Sequence, residues 1–275
     1  MKITLIGLGL IGASIAKALK GQARITGIDR DASSVGRALA DGVISRGGAD
    51  LSLASGSDMV IVAVPVGSIV ETVARAIPYL DDGTVVTDTG STKAHIVRSI
   101  DEIWPSFVGS HPIAGKENPG YAASQPDLFS SAMTIITPSP ATQAGCIENV
   151  RRMWEGCGSL TCTMDPQLHD ELMAVISHMP HLLSFTSMSM AANVRIHREL
   201  LGAGFRDFTR IAASDPVMWR DIFLENASNI LPLIDQYREE LKNLRDLIEQ
   251  GRGRELEDTL TAYARIRRGL YGDSR

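Results

Sequence analysis

The sequence has 275 residues, of which 44% are hydrophobic and 21% are charged, a composition typical of globular rather than disordered, collagen-like or disulfide-scaffold proteins. The formal charge of −5 excludes a global basic field for nucleic acid, so local Arg or Lys side chains must meet any anionic ligand. No apolar run approaches the roughly 20 residues of a membrane span. The N-terminal MKITLI predicts a first strand rather than a signal peptide, and three cysteines without a C-x-x-C pair indicate a reduced, cytoplasmic setting.

Short apolar runs alternate with helical stretches over residues 1–165. The predicted strands are 2–6, 23–29, 58–65, 84–88, 107–111, 133–138 and 160–164. Helices are expected near 11–20, 32–41 and 70–80. This alternation predicts an α/β fold, a doubly wound parallel sheet of the Rossmann type, with right-handed crossover connections.

Beyond Asp165-Pro166 the pattern predicts only helices, near 167–200, 216–250 and 254–270. We therefore expect an all-helical second domain over residues 166–275. Six apolar residues of the second stretch follow one another at alternating spacings of four and three, namely Ile230, Ile234, Tyr237, Leu241, Leu244 and Ile248. This coiled-coil period predicts a homodimer through the C-terminal helices, although an amphipathic helix packed on its own domain has the same pattern.

Residues 7–12 read GLGLIG and fit the dinucleotide-binding pattern G-x-G-x-x-G, directly after a predicted strand and at the start of a predicted helix. In that pattern Gly7 allows a tight turn, Gly9 lets the backbone approach a pyrophosphate, and Gly12 lets helix and strand pack closely. Asp29 ends the next strand and can accept hydrogen bonds from ribose hydroxyls, which favours NAD, while the adjacent Arg30 leaves NADP open. The candidate cofactor-binding residues are Gly7, Gly9, Leu10, Ile11, Gly12, Asp29, Arg30, Val64 and Pro65.

Two catalytic candidates follow predicted strands at their carboxyl ends, where open α/β sheets bind ligands. Ser91 lies in DTGSTK (88–93) and is either a site residue or only the N-cap of the next helix. His111 lies in GSHPIAG (109–115), and an imidazole is the natural acid–base group near neutral pH. A long loop follows His111, and long loops in compact domains are usually functional.

The predicted helical half contains Ser177-His178-Met179-Pro180-His181, where Pro180 predicts a kink beside two imidazoles. This segment either forms part of a binding surface or packs as an ordinary helix. Metal ligation by His178 and His181 with His169 is an alternative, but no carboxylate or thiol completes a set, so no metal site is predicted.

Arg206 and Arg210 share a face if their segment is helical, which suits a dianionic substrate bound through carboxylates. The alternative is a solvated charged face with Asp207 nearby. Trp219 either walls the same pocket or fills the core.

Together these segments resemble the prephenate/arogenate (cyclohexadienyl) dehydrogenase family of tyrosine biosynthesis. The resemblance rests on GLGLIG (7–12), DTGSTK (88–93), GSHPIAG (109–115), ISHMPH (176–181) and GFRDFTRIAASDPVMWRDI (204–222). It implies an NAD(P)-dependent enzyme with an N-terminal nucleotide-binding domain and a helical dimerisation domain. The reaction implied is oxidative decarboxylation of prephenate, arogenate or both, to 4-hydroxyphenylpyruvate or tyrosine.

The resemblance also implies roles for individual residues. His111 would bind the ring C4 hydroxyl and take its proton, and Ser91 would orient His111 and touch the same hydroxyl or the nicotinamide. Arg210 would clamp a substrate carboxylate, and His178 and Arg206 would line the side-chain end of the pocket, walled by Trp219.

Two other functions fit parts of the sequence. A β-hydroxyacid dehydrogenase shares the Rossmann start but uses a lysine of the helical domain, where this chain offers only Lys242. A non-catalytic NAD-sensing dimer explains the glycines, Asp29 and the apolar seam, but not His111, Ser91 and Arg210.

Overall fold

The structure is a computed structural model that describes residues 1–116, 118–192, 194 and 197–272. Eight strands form one sheet in the order β3-β2-β1-β4-β5-β6-β7-β8. They are β1 (Lys2–Ile6), β2 (Arg24–Ile28), β3 (Arg46–Gly48), β4 (Met59–Val62), β5 (Val85–Asp88), β6 (Phe107–Pro112), β7 (Met133–Thr137) and β8 (Leu160–Thr163). Strands β1 to β6 are parallel, which confirms the doubly wound Rossmann-type arrangement.

The last two strands correct the expectation of a fully parallel sheet. Strand β7 is antiparallel to β6, and β8 is parallel to β7. The described part of the β6–β7 connection contains one short 3-10 turn, Tyr121–Ala123, instead of a crossover helix. Without that crossover the chain returns along the sheet in the opposite direction.

Helices lie between the strands along the chain and follow the last strand. They are α1 (Leu10–Ala18), α2 (Ala32–Ala40), α3 (Ile69–Ala76), α4 (Ala94–Asp101), α5 (Ala144–Gly156), α6 (Pro166–Met173), α7 (Met179–Ala191), α8 (Ala203–Thr209), α9 (Pro216–Glu225), α10 (Ala227–Glu249) and α11 (Gly253–Tyr271). All four residues of β4 are buried, with Met59 and Ile61 in one apolar cluster and Val60 and Val62 in another. Alternate residues of a strand point to opposite faces, so the sheet has a core on each face.

The kink expected at Pro180 takes the form of a π-helical turn. Residues Ala174–His178 adopt that turn between α6 and α7, and Pro180 lies in the first turn of α7. Proline has no N–H to donate to the carbonyl four residues earlier, and a π turn changes the hydrogen-bond register just before it. His181 then donates from Nδ1 to the carbonyl of Ser177 at 2.9 Å.

The chain divides into two compact units, Met1–Ala227 and Ser228–Arg275. Helices α6 to α9 therefore share a unit with the sheet, and a domain boundary at residue 165 stays a prediction. On α10, Tyr237, Leu241 and Ile248 of the predicted seam are exposed. Among the described residues, no helix is both long enough and apolar enough to cross a membrane.

Candidate active site

The glycine loop between β1 and α1 has the geometry that a dinucleotide needs. Gly7 has a φ of +100°, and a Cβ there would lie 2.3 Å from the carbonyl oxygen of Ala63. A Cβ on Gly12 would lie 1.9 Å from the carbonyl oxygen of Gly7. A Cβ on Gly9 would meet nothing within 4 Å, and Gly9 begins α1 without a side-chain cap. The N-terminal amides of α1 thus face an open space suited to phosphate.

A pocket of about 270 Å³ lies beside this loop. Its lining includes Gly7, Gly9, Asp29, Arg30, Arg75, Val64 and Pro65. The Asp29 carboxylate accepts hydrogen bonds from the N–H of Leu8 at 2.6 Å and of Asp31 at 2.8 Å. Asp29 thereby fixes the turn while lining the pocket, and its ribose-binding role stays a prediction.

A second cleft, of about 410 Å³, shares Gly9, Val64 and Pro65 with the first pocket. It is also lined by Leu10, Ile11, Ser91, His111, Lys116, Asp215, Met218 and Ile222. The structure thus brings the predicted cofactor-binding and catalytic residues to one continuous surface. Gly12 lines neither pocket and serves the packing of α1 on the loop.

Buried polar contacts join the ends of β5 and β6 beneath this cleft. The Lys93 ammonium pairs with the Asp88 carboxylate, and both side chains are fully buried. Asp88 also accepts from the N–H of Ser110 at 3.1 Å, and Trp154 Nε1 donates to Ser110 Oγ at 2.9 Å. Burial lowers the pKa of Lys93, while the Asp88 charge opposes that shift. These contacts fix the segments that carry Ser91 and His111.

His111 is half-buried and joined to a second histidine. Its Nδ1 lies 2.8 Å from His169 Nε2, and His169 Nδ1 lies 2.7 Å from Asp170 Oδ1. Burial lowers the pKa of His111 well below the usual value, and the neighbouring His169 and the positive charge of Lys93 act in the same direction. The imidazole is therefore neutral at neutral pH and able to accept a proton.

The structure excludes helix capping as the role of Ser91. Helix α4 has Lys93 at its N-cap position without a side-chain cap. The N–H groups of Lys93 and Ala94 instead donate to Asp170, at 2.7 and 2.8 Å. The side chain of Ser91 is thus left on the cleft wall.

His178 and Trp219 do not line the cleft. His178 is buried, accepts from Asn226 Nδ2 at 3.0 Å and meets Trp219 edge-on. Burial lowers the pKa of His178 to about 4. Trp219 stacks on His181 with a ring separation of 3.6 Å, so it fills the core next to the histidines.

Arg206 and Arg210 lie on α8 and on the 3-10 turn after it, are exposed, and do not line the cleft. Burial lowers the pKa of His181, and the charge of Arg210 adds to that effect, so Arg210 lies near His181. The substrate-binding roles of both arginines stay predictions.

Comparison with known proteins assigns the chain to a family. The family model described as "Prephenate dehydrogenase, nucleotide-binding domain" matches residues 15–162, and "Prephenate dehydrogenase, dimerization domain" matches residues 165–262. The chain belongs to the prephenate dehydrogenase family. It is 36% identical to the prephenate dehydrogenase of Bacillus subtilis (strain 168), over 90% of this chain and 70% of that protein.

Two solved structures of the family superpose closely on this chain. One is prephenate dehydrogenase from A. aeolicus in complex with hydroxyphenyl propionate and NAD+, with 33% identity, 98% coverage of each chain and a TM-score of 0.91. The other is Synechocystis arogenate dehydrogenase, with 29% identity, 98% coverage of this chain, 100% of that chain and a TM-score of 0.85. The chain is thus an enzyme of the oxidoreductase class with the family's nucleotide-binding and dimerisation domains.

Sequence reasoning missed three residues of the site in this family member. Lys116 lies in the long loop after His111, and the loop's length signalled function without singling out a residue. His169 was considered only as a metal ligand, and Asp170 was overlooked, because a neighbouring His-Asp pair on a predicted helix does not reveal what it faces. Within the described residues, no group of three or more His, Cys, Asp or Glu side chains is arranged to hold a metal ion.

Proposed function

We propose that the protein catalyses the oxidative decarboxylation of prephenate, arogenate or both, with NAD. The observation that carries the proposal is the shared cleft, where His111 and Ser91 lie on the same surface as Gly9, Val64 and Pro65. In this arrangement a base from the end of β6 meets the place where a nucleotide bound to the glycine loop would present its reactive ring.

The residues present fit NAD. The open α1 N-terminus at Gly9 suits the pyrophosphate, and Asp29 in the first pocket suits the two ribose hydroxyls and repels a 2′-phosphate. Arg30 and Arg75 line the same pocket, and their positive charges would allow some binding of the 2′-phosphate of NADP. When bound, NAD supplies the acceptor for the hydride that leaves ring C4.

His111 would act as a base that keeps the proton only briefly. Its neutral imidazole accepts the C4 hydroxyl proton as the hydride leaves C4 and the ring carboxylate leaves as CO2. Electrons from the broken C–C bond complete the aromatic ring, and the C4 oxygen then takes the proton back to become a phenol. The overall reaction releases no proton, so the protein has only to position the ring and to stabilise a transient imidazolium.

The substrate would be a small cyclohexadienol with two carboxylates. Among the described lysines and arginines, Lys116 lines the cleft, so its ammonium group suits one carboxylate of the substrate. Arg210 and Arg206 remain candidates for the other, with His178 and Trp219 supporting the pocket from behind. Ser91 on the wall suits the C4 hydroxyl.

Assembly and setting are part of the proposal. The exposed apolar residues of α10 support a homodimer through the C-terminal helices, because an unpaired seam would leave Leu241 and Ile248 in water. The thiols of Cys146, Cys157 and Cys162 are free, which supports a cytoplasmic location.

The test mixes the protein with NAD and either prephenate or arogenate and follows the absorbance of the reduced nicotinamide. We expect turnover of at least one substrate with release of CO2. Turnover only of β-hydroxy acids, or NAD binding without turnover of any substrate, would contradict the proposal. Parallel kinetics on the two substrates then define the preference.

A further inference from the structure

Two buried side chains behind His111 have no part in the function proposed so far. His169 is 0% exposed and Asp170 is 2% exposed, and they form a hydrogen-bonded row with His111 at 2.8 and 2.7 Å. We propose that His169 and Asp170 are a positioning pair that fixes the tautomer of His111, so that Nε2 carries no hydrogen and faces the cleft as the base. The catalytic part of this proposal rests on the proposed function.

The direction of each hydrogen bond follows from the donors around Asp170. Its carboxylate accepts from the N–H of Lys93 at 2.7 Å and of Ala94 at 2.8 Å. Both carboxylate oxygens thus already accept from backbone N–H groups, so Asp170 is an acceptor toward His169 Nδ1 as well. His169 must therefore carry its hydrogen on Nδ1, and its Nε2 is an acceptor.

The tautomer of His111 follows from that of His169. Because His169 Nε2 accepts, the hydrogen between the two rings belongs to Nδ1 of His111. The lone pair of neutral His111 is then on Nε2, which has no hydrogen-bond partner among the described residues. This is the nitrogen left for a ligand in the cleft that His111 lines.

The pair also prepares the site for the charge that forms on His111. When Nε2 takes a proton, both ring nitrogens become donors, and Nδ1–H already meets an acceptor held by a carboxylate. The third residue of a Ser-His-Asp triad has the same task, to hold the tautomer and stabilise the imidazolium without taking the proton. Other titratable groups that act on His111 are Lys93 and His178, each from a different element.

The matched variants His169→Gln and His169→Asn test whether the hydrogen bond to His111, rather than the volume of the side chain at position 169, is what matters. The amide oxygen of glutamine can reach the position of Nε2 and keep an acceptor for His111, whereas asparagine reaches only the position of Nδ1, next to Asp170. Long-range proton–nitrogen NMR of the histidine-labelled protein reports the His111 tautomer without turnover, with His111→Asn to assign its signals. We expect Nδ1–H in the wild type and in His169→Gln, and a shift toward Nε2–H in His169→Asn.

Kinetics with NAD and the accepted substrate provide the second measurement. We expect His169→Asn to lower kcat by at least about tenfold with KM little changed, because loss of the orienting partner in a Ser-His-Asp triad is far more costly. The acid limb of kcat/KM should also move, since His169 is one of the groups that set the pKa of His111, and His169→Gln should recover much of both effects. Circular dichroism and NAD affinity check the fold.

The outcomes separate this proposal from the proposed function. Nε2–H on neutral His111 in the wild type overturns the positioning pair, whether or not the protein turns over substrate. An unchanged tautomer, kcat and acid limb in folded His169→Asn also overturn it. If no substrate is turned over, the proposed function fails, and the NMR result still decides the tautomer. If both His169 variants fail to fold, the wild-type tautomer decides alone.

Discussion

The carboxylate of Asp170 accepts a 2.8 Å hydrogen bond from the backbone N–H of Ala94, the first residue of α4. A side chain of α6 therefore caps a helix that begins in the loop carrying Ser91. The same carboxylate holds His169, which contacts His111. One buried residue thus links the two segments that bring Ser91 and His111 to the cleft.

Asp170→Ala should destabilise the protein by about 1–3 kcal/mol, because it leaves buried N–H groups at the start of α4 without an acceptor. Urea unfolding measures this loss. Asp31→Ala is the matched control, since Asp31 caps α2 at the surface through Ser33 and Ser34. If Asp170→Ala lowers the free energy of unfolding no more than Asp31→Ala does, the buried cap stabilises the protein no more than a surface cap does.

The buried Lys93–Asp88 pair gives a prediction for a double variant. Lys93→Met alone should cost about 3–5 kcal/mol, because it leaves the Asp88 charge buried without its partner. Lys93→Met combined with Asp88→Asn should cost less than Lys93→Met alone, as the lone charge is gone. Denaturant unfolding of both variants gives the two values. A double variant at least as unstable as the single one would argue against the pair's charges as the cause.

Burial of His178 predicts a loss of stability in acid. Its pKa is about 4 in the folded chain against 6.5 when unperturbed, so below pH 6.5 the unfolded chain takes up a proton that the folded chain refuses. The stability present above that pH should fall by roughly 3 kcal/mol as the pH drops to about 4. Burial also lowers the pKa of His111 and of His169, which adds to the effect.

Urea unfolding at several pH values between about 7 and 4 tests the His178 contribution. His178→Gln should show a shallower pH dependence than the wild type, and the exposed His95→Gln should keep the wild-type dependence. Equal slopes in all three proteins would contradict the assignment.

Removing the side chain of Lys116 or of Arg210 should weaken substrate binding more than it slows the chemical step. A charge-assisted hydrogen bond contributes about 1.5–3 kcal/mol, so Lys116→Ala should raise KM by about 10- to 100-fold with a smaller change in kcat. Arg210→Ala should act in the same way if it clamps a carboxylate. Arg152→Ala, an exposed arginine paired with Glu148 on α5, is the control for loss of charge. Unchanged KM and kcat in either variant would remove that residue from the site.

The sequence predicts most of the fold because its signals are local. The apolar run of β4 predicts a buried strand, and the glycines at 7–12 predict a tight turn before a helix. The structure has both features where they were expected. Strand β3, Arg46–Gly48, was missed because RGG has no apolar residue to signal a strand. The reversed direction of β7 depends on how a long loop returns, which no periodicity encodes.

Within the site, the sequence predicts residues at strand ends but not their partners. Ser91 and His111 were predictable because β5 and β6 carry them to the edge where ligands bind. The contact between His111 and His169 joins positions 58 residues apart, and neither local sequence indicates it. The exposure of Arg206 and Arg210 likewise depends on how α8 packs, which their four-residue spacing does not reveal.

The pH dependence of kcat/KM for the wild type and for His111→Asn tests the central claim most directly. For the wild type we expect activity to stay level through neutral pH and to fall only well below pH 6.5, since burial lowers the pKa of His111. His111→Asn should lose about 10²–10⁴-fold in rate and should lack that acid limb. A loss below about tenfold, or an unchanged acid limb in the variant, would contradict the role of His111 as the base.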